Sequence, residues 1–189
     1  MAPQFSESRQ GINLLFKTLG LRDIYPVNGA KRMSLIRKTE PDIILTTVQP
    51  GDFDALVAMR IEAMRDSLER IGRFDPVRAR ERFREGFSAP DTRYIEVAES
   101  RVGFVVLKAL AGGLLLDHLY IKPGAQGQGI GSAVLRQVFA EADAMASALR
   151  VGALKESDSN RFYIRHGFQL VGSGEFDNYY VRPQRLPSR

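Results

Sequence analysis

The chain has 189 residues, 44% hydrophobic and 26% charged, which is the composition of one water-soluble globular domain with a sizeable core. It contains no cysteine and only two histidines, His118 and His166. That excludes disulfides, thiolate nucleophiles, zinc–sulfur sites and a His-rich metal centre, so no metal is expected.

The net charge is +5, yet seven basic against three acidic residues within 1–40 supply four of those charges. The remainder is almost neutral and carries no basic stripe interleaved with aromatics, so nucleic acid is not an expected partner. No apolar run approaches the roughly 18–20 residues of a membrane span, so no membrane association is expected. Met1 leads into a polar segment without a secretory pattern, and a cytoplasmic location is the default expectation.

Residues 1–40 read as an N-terminal extension or linker ahead of a domain at 41–189. Within the extension, Ile12, Leu15, Phe16 and Leu19 share one helical face over 8–19, and 25–30 reads as a turn. Met33 opens a segment that would itself suit a start. The β-branched run 43–48 is a strand, ended by Pro50-Gly51-Asp52. Asp52 is placed to cap a helix running to about Glu69, with Phe53, Leu56, Val57, Ile61, Met64 and Leu68 at helical spacing. Asp75-Pro76 opens a second helix, with proline at the favoured first position. Three strands follow at 92–99, 101–110 and 114–121. Turns at Ser100 and at Ala111-Gly112-Gly113 suit antiparallel hairpins.

Next comes Gln126-Gly127-Gln128-Gly129-Ile130-Gly131, between a strand and a helix that runs to about Ala148. A helix N-terminus has unpaired N–H groups and a partial positive charge. Glycines there let a phosphate approach the backbone and allow the positive φ that aims successive amides at one point. The simplest reading is a pyrophosphate cradle; the plainer one is a glycine-rich turn that starts a helix. A Walker A loop would end in Gly-Lys-Ser/Thr, and no lysine follows Gly129. The dinucleotide fingerprint needs G-x-G-x-x-G, whereas this loop reads G-x-G-x-G. Beyond it lie a strand at 149–155, a short helix at 158–165 stopped by Gly167, and strands at 168–171 and 176–181.

Gln126-x-x-Gly129-x-Gly131 resembles the Q/R-x-x-G-x-G/A signature of the GCN5-related N-acetyltransferases, the GNAT superfamily. Asn160-Arg161-Phe162-Tyr163-Ile164-Arg165-His166-Gly167-Phe168 is similar to that family's late N-x-x-A-x-x-(F/L)-Y-x-x-x-G-F segment. The order β-α-α-β-β-β-α-β-α-β-β matches across about residues 42–182. The resemblance implies an α/β fold of the α+β type: a mixed, mostly antiparallel sheet of six to seven strands with about four helices. It implies acetyl transfer from acetyl-CoA to an amine acceptor, expected to be a small molecule, by direct attack in a ternary complex. The alternative is a GNAT-fold acyl-CoA-binding sensor or partner module with little catalysis. Many relatives pair as dimers, so a homodimer is one expected state.

The resemblance assigns coenzyme A to Gln126, Gly127, Gln128, Gly129, Ile130, Gly131 and Ser132 at the pyrophosphate. Main-chain groups of Leu119 and Ile121 are assigned to the pantetheine. In many relatives an asparagine lies six or seven residues before the tyrosine, where this chain has Ser157 and Glu156. Asn160 either points at coenzyme A or caps its helix. Tyr163 matches the family tyrosine that protonates the departing thiolate, as a neutral phenol can. The base for the amine is sought among Asp117, His118 and Glu62. Asp117 and His118 are adjacent, so they face opposite sides of the sheet unless a bulge intervenes. Asp54, Glu62, Asp66 and Glu69 would give a cationic acceptor an acidic wall. Arg78, Arg80, Arg82 and Arg84 form either a solvated face or a wall suited to a carboxylate. His166 is expected at the surface near a helix end.

Overall fold

A computed structural model describes residues 40–70, 72 and 74–184. The helix expected at 8–19, the turn at 25–30 and Met33 lie outside the described residues. The elements run β1 (Ile44–Thr47), α1 (Phe53–Arg70), α2 (Pro76–Gly86), β2 (Thr92–Val97), β3 (Ser100–Leu110), β4 (Gly113–Ile121), α3 (Ile130–Ala144), β5 (Leu149–Leu154), α4 (Ser159–Arg165), β6 (Gln169–Ser173) and β7 (Asp177–Arg182). This is the order read from the sequence. Seven strands form one sheet in the order β1-β2-β3-β4-β5-β7-β6. Every neighbouring pair is antiparallel except β4 and β5, whose parallel pairing the crossover through α3 makes available.

Strand alternation sorts the core onto two faces. Tyr94, Phe104 and Val106 pack with Leu56, Val57 and Met59 of α1 and Phe83 of α2. Their neighbours Ile95 and Val105, with Leu114 and Leu116, pack with Val134, Leu135 and Val138 of α3 and Tyr163 of α4. Each fully buried leucine, valine or phenylalanine contributes about 1.5–3 kcal/mol, so burial fixes which helices cover which face. Paired charges lock α3 down: Arg93 of β2 meets Glu141 at 2.6 and 3.1 Å, and Arg182 of β7 meets Asp143 at 2.8 and 2.7 Å.

Three local expectations are corrected. Asp52 does not cap α1. It closes a short 3-10 turn, Pro50–Asp52, and its carboxylate accepts from the Gln49 N–H at 2.9 Å. The β2–β3 turn lies at Ala98 and Glu99, both left-handed, while Ser100 already pairs with Val97 inside the sheet. Helix α3 ends at Ala144. The chain then turns so that the Ala148 carbonyl accepts from Leu114 N at 2.9 Å, which sets the start of β4 against β5. Asp75 does cap α2, accepting from Arg78 N at 3.0 Å, with Pro76 in the first turn.

Candidate functional site

Strands β4 and β5 are paired only at Leu114–Leu149, Leu115–Arg150 and Leu116–Val151. Beyond Leu116 they part, while β4 keeps its pairing to β3 and β5 keeps its pairing to β7. The gap holds a cavity of about 680 Å³, lined by both strands, the glycine loop, α4 and one face of α1.

A bulge sits where the strands part. Val106 faces His118 and Leu107 faces Leu116, so Asp117 is an extra residue without a β3 partner. This removes the alternation that would separate Asp117 from His118. Leu116 lies in one core and Leu119 packs against it. His118 stacks on Tyr120 and contacts Phe83, which belong to the opposite side. The Asp117 carboxylate lies 3.8 Å from His118 Nε2 on that same side, and Lys108 donates to it at 2.6 Å. Both residues line the cavity. Glu62 does not: it is exposed on α1, whose cavity-facing residues are Ala63, Met64 and Ser67.

Backbone polarity of β4 follows from one bond. Lys122 N–H donates to Val102 O at 2.8 Å, so the groups of Lys122 point toward β3. Alternate residues point to opposite edges of a strand, which turns the N–H and C=O groups of Leu119 and Ile121 into the gap. The Ile121 carbonyl is taken by Gln126 Nε2 at 2.8 Å.

The loop is built for amides rather than side chains. Gln126 braces Ile121, and Gln128 braces the Gly124 carbonyl at 3.0 Å. Gly127 and Gly129 have φ of +73° and +86°. Gly129 stands at the N-cap of α3 with no side-chain cap, and the first recorded closing bond is Ala133 N to Gly129 O at 3.0 Å. The amides of Ile130, Gly131 and Ser132 therefore have no preceding helical turn to pair with. Gly131 is needed for space: a Cβ there would stand 3.1 Å from Phe162 Cζ and 3.4 Å from Ile121 Cδ1. These open amides at a positive helix end, with no bulk above them, fit a pyrophosphate.

Tyr163 is 6% exposed and lines the cavity. Its ring packs edge-on against Phe168 and Phe162. Burial, helped by the nearby Tyr120, pushes its phenol well above the ordinary tyrosine value, so it stays protonated. Asn160 takes neither of its expected roles. Its Nδ2 donates to Leu154 O at 2.8 Å and Ser157 O at 2.9 Å, while its Oδ1 accepts from Asn178 and from Tyr180 OH. The amide is spent tying α4 to β5 and β7. Asp158 occupies the cap position of α4. His166 is not a free surface group: its ring packs at a tilt against Phe162 and bridges the Phe162 carbonyl and Ser132 Oγ.

Reading the sequence alone misses Arg60 and Asp177, which lie within electrostatic reach of Tyr120 at the cavity wall. Arg60 precedes Ala63, Met64 and Ser67 at helical spacing, a signal that was available. Asp177 opens the last strand, and burial raises its carboxyl above the ordinary value against the pull of Arg82 and Lys155. Among the described residues no group of three or more His, Asp and Glu is placed to hold a metal ion, and no helix is long and apolar enough to cross a membrane.

Residues 91–170 match the family model described as the acetyltransferase (GNAT) domain. No curated protein matches the chain. Solved structures do. The PaiA N-acetyltransferase from Thermoplasma acidophilum, in complex with coenzyme A, is 17% identical at a TM-score of 0.63, over 75% of this chain and 99% of that one. An acetyltransferase from Thermus thermophilus is 21% identical at 0.59, over 75% and 96%. A GCN5-related N-acetyltransferase from Rhodopseudomonas palustris is 16% identical at 0.60, over 82% and 99%. At these identities the likeness is one of fold.

Proposed function

We propose that the chain is an acetyltransferase of the GNAT superfamily, which moves an acetyl group from acetyl-CoA to the amine of a small-molecule acceptor within a ternary complex. The observation that carries this reading is the opening of β4 from β5 directly beside an amide-lined helix start. That arrangement offers one end to a pyrophosphate and a free strand edge to an amide-containing arm. In this reading the amides of Gly127 to Ser132 bind the pyrophosphate and the Leu119 main chain binds the pantetheine. In the same reading a backbone N–H near Leu119 or Tyr120 polarises the thioester carbonyl.

The acceptor nitrogen attacks that carbonyl, the C–S bond breaks, and the nitrogen gives up a proton. Tyr163, held protonated by its surroundings, donates its phenolic proton to the departing thiolate. Asp117 and His118, together on one side through the bulge and both at the cavity wall, are the groups available to accept the amine proton.

The test is thiol release from acetyl-CoA with a panel of amines. Release above buffer with at least one acceptor, with the acetylated amine recovered, supports an acetyltransferase. Tight coenzyme A binding without release across the panel would instead favour a binding module.

A further inference from the structure

His166 reaches the glycine-loop end of the cleft through one side chain, Ser132. Helix α4 tightens at its end, where the His166 N–H donates to the Tyr163 carbonyl at 3.0 Å. The Phe162 carbonyl, one residue earlier, stands 2.7 Å from His166 Nδ1. A carbonyl only accepts, so Nδ1 carries a proton. The other ring nitrogen, Nε2, stands 2.9 Å from Ser132 Oγ. Packing of the ring against Phe162, with centroids 4.4 Å apart, keeps both nitrogens on their partners. Ser132 lies in the first turn of α3 and lines the cavity with Gly129 and Gly131.

With Nδ1 protonated, the state of Nε2 decides where the serine proton goes. In the neutral ring Nε2 only accepts, so Ser132 donates its hydroxyl proton to the ring. The serine oxygen then offers the cleft lone pairs alone, and a phosphate oxygen, itself an acceptor, finds no donor there. In the protonated ring the bond reverses. Nε2–H donates to Ser132 Oγ, and the serine proton is released to point into the cleft. A phosphate needs this second arrangement, and a hydroxyl donated to an anion is among the stronger hydrogen bonds.

The charged groups around the ring do not compete for it. On α4, Asp158 pairs with Arg161. On α3, Glu141 and Asp143 pair with Arg93 and Arg182, and Arg136, one turn beyond Ser132, lies 2.7 Å from Glu40. Arg165 lines the cavity beside His166, and the loop 126–131 carries no charge. A pyrophosphate seated at the start of α3 is thus the added charge that favours the imidazolium.

We propose that His166 is a positioning residue for the pyrophosphate: it takes up a proton as coenzyme A binds, and so turns the Ser132 hydroxyl from the ring to a phosphate oxygen. The proton passes from water to Nε2, and Ser132 keeps its own. This rests on the coenzyme A part of the reading above and adds a residue to it.

The probe is dephospho-coenzyme A, which keeps the pyrophosphate but lacks the 3′-phosphate, a monoester that itself titrates near neutral pH. Calorimetry in buffers of different ionisation enthalpy counts the protons taken up between about pH 8 and about pH 6, where histidine changes charge. Binding should take up a fraction of a proton, and Kd should fall by about three- to tenfold as pH falls across that range, because the bound state prefers the protonated ring. His166→Gln, whose amide donates to Ser132 Oγ but does not titrate, should lose both effects. Ser132→Ala leaves the ring no hydroxyl to release and should lose most of them; it carries the test if His166→Gln fails to fold. A purely structural His166 would give no proton uptake in the parent protein. An affinity independent of pH in the parent, or a pH dependence that survives in either variant, overturns the proposal and leaves the coenzyme A reading standing. Binding of coenzyme A without binding of dephospho-coenzyme A would mean that the pyrophosphate does not anchor the ligand, and overturns it too. Binding of neither overturns both.

Discussion

Replacing Asn160 with alanine separates a structural role from a ligand role. The side chain makes four bonds at 2.8–2.9 Å: two donated, to the Leu154 and Ser157 carbonyls, and two accepted, from Asn178 and Tyr180. Tyr180 is 2% exposed, so its hydroxyl has no easy route to water once the partner is gone. Each bond is worth about 1 kcal/mol net, and an orphaned buried group costs about 1–3 kcal/mol. Partial rehydration of the half-buried partners lowers the sum, leaving a loss of about 2–4 kcal/mol. For a chain of this size that lowers Tm by about 5–15 °C.

Asn160 does not itself line the cavity, so coenzyme A affinity measured by calorimetry below the transition should change by less than about threefold. Asn160→Asp keeps both acceptor bonds but sets a carboxylate oxygen against two carbonyls, and should be at least as unstable as the alanine variant. A Tm within about 1 °C of the parent protein, together with about tenfold weaker coenzyme A binding, would refute the reasoning and return Asn160 to the ligand.

Gly129→Ala should raise the Kd for coenzyme A by about five- to thirtyfold. Its nearest neighbour is Pro41 at an ordinary 3.5 Å, so the cost is the left-handed torsion, about 1–2 kcal/mol, which relaxes by re-aiming the amides. Titration calorimetry reads it, and an unchanged Kd would mean the loop does not hold the phosphate. Tyr163→Phe keeps the ring contacts with Phe162 and Phe168, so it should lower kcat by about a hundredfold with coenzyme A affinity intact; full turnover would remove Tyr163 as the acid. Asp177→Asn should raise Tm at neutral pH. Burial lifts the folded carboxyl above its ordinary 3.8, so the stability tied to its proton is complete below that pH and is lost as pH rises through the lifted value. The gap between the two proteins should therefore close below about pH 4 in a series of thermal scans. A parent protein more stable than the variant at pH 7 would reverse the sign.

The order of elements, the two-faced alternation of β2 and β3 and the glycine start of α3 were legible in the chain because each is a local property. Period, turn residues and helix ends are encoded within a few neighbours of every position. Gln126–Gly131 already located a glycine-rich helix start with open amides, since helix ends and glycine torsions need no distant partner.

Other features depended on where distant segments meet. Whether Asp117 and His118 share a side rests on an unpaired residue in the β3–β4 register, which only pairing across the strands defines. Asn160 looked like a cap or a ligand contact until β7 brought Tyr180 and Asn178 to it. Arg60, Arg82 and Asp177 lie on three separate elements, and nothing in their local sequence announces that Arg82 comes within electrostatic reach of the other two. Periodicity tells a side chain which way to face, but packing of the sheet and its helices decides which groups it finds there.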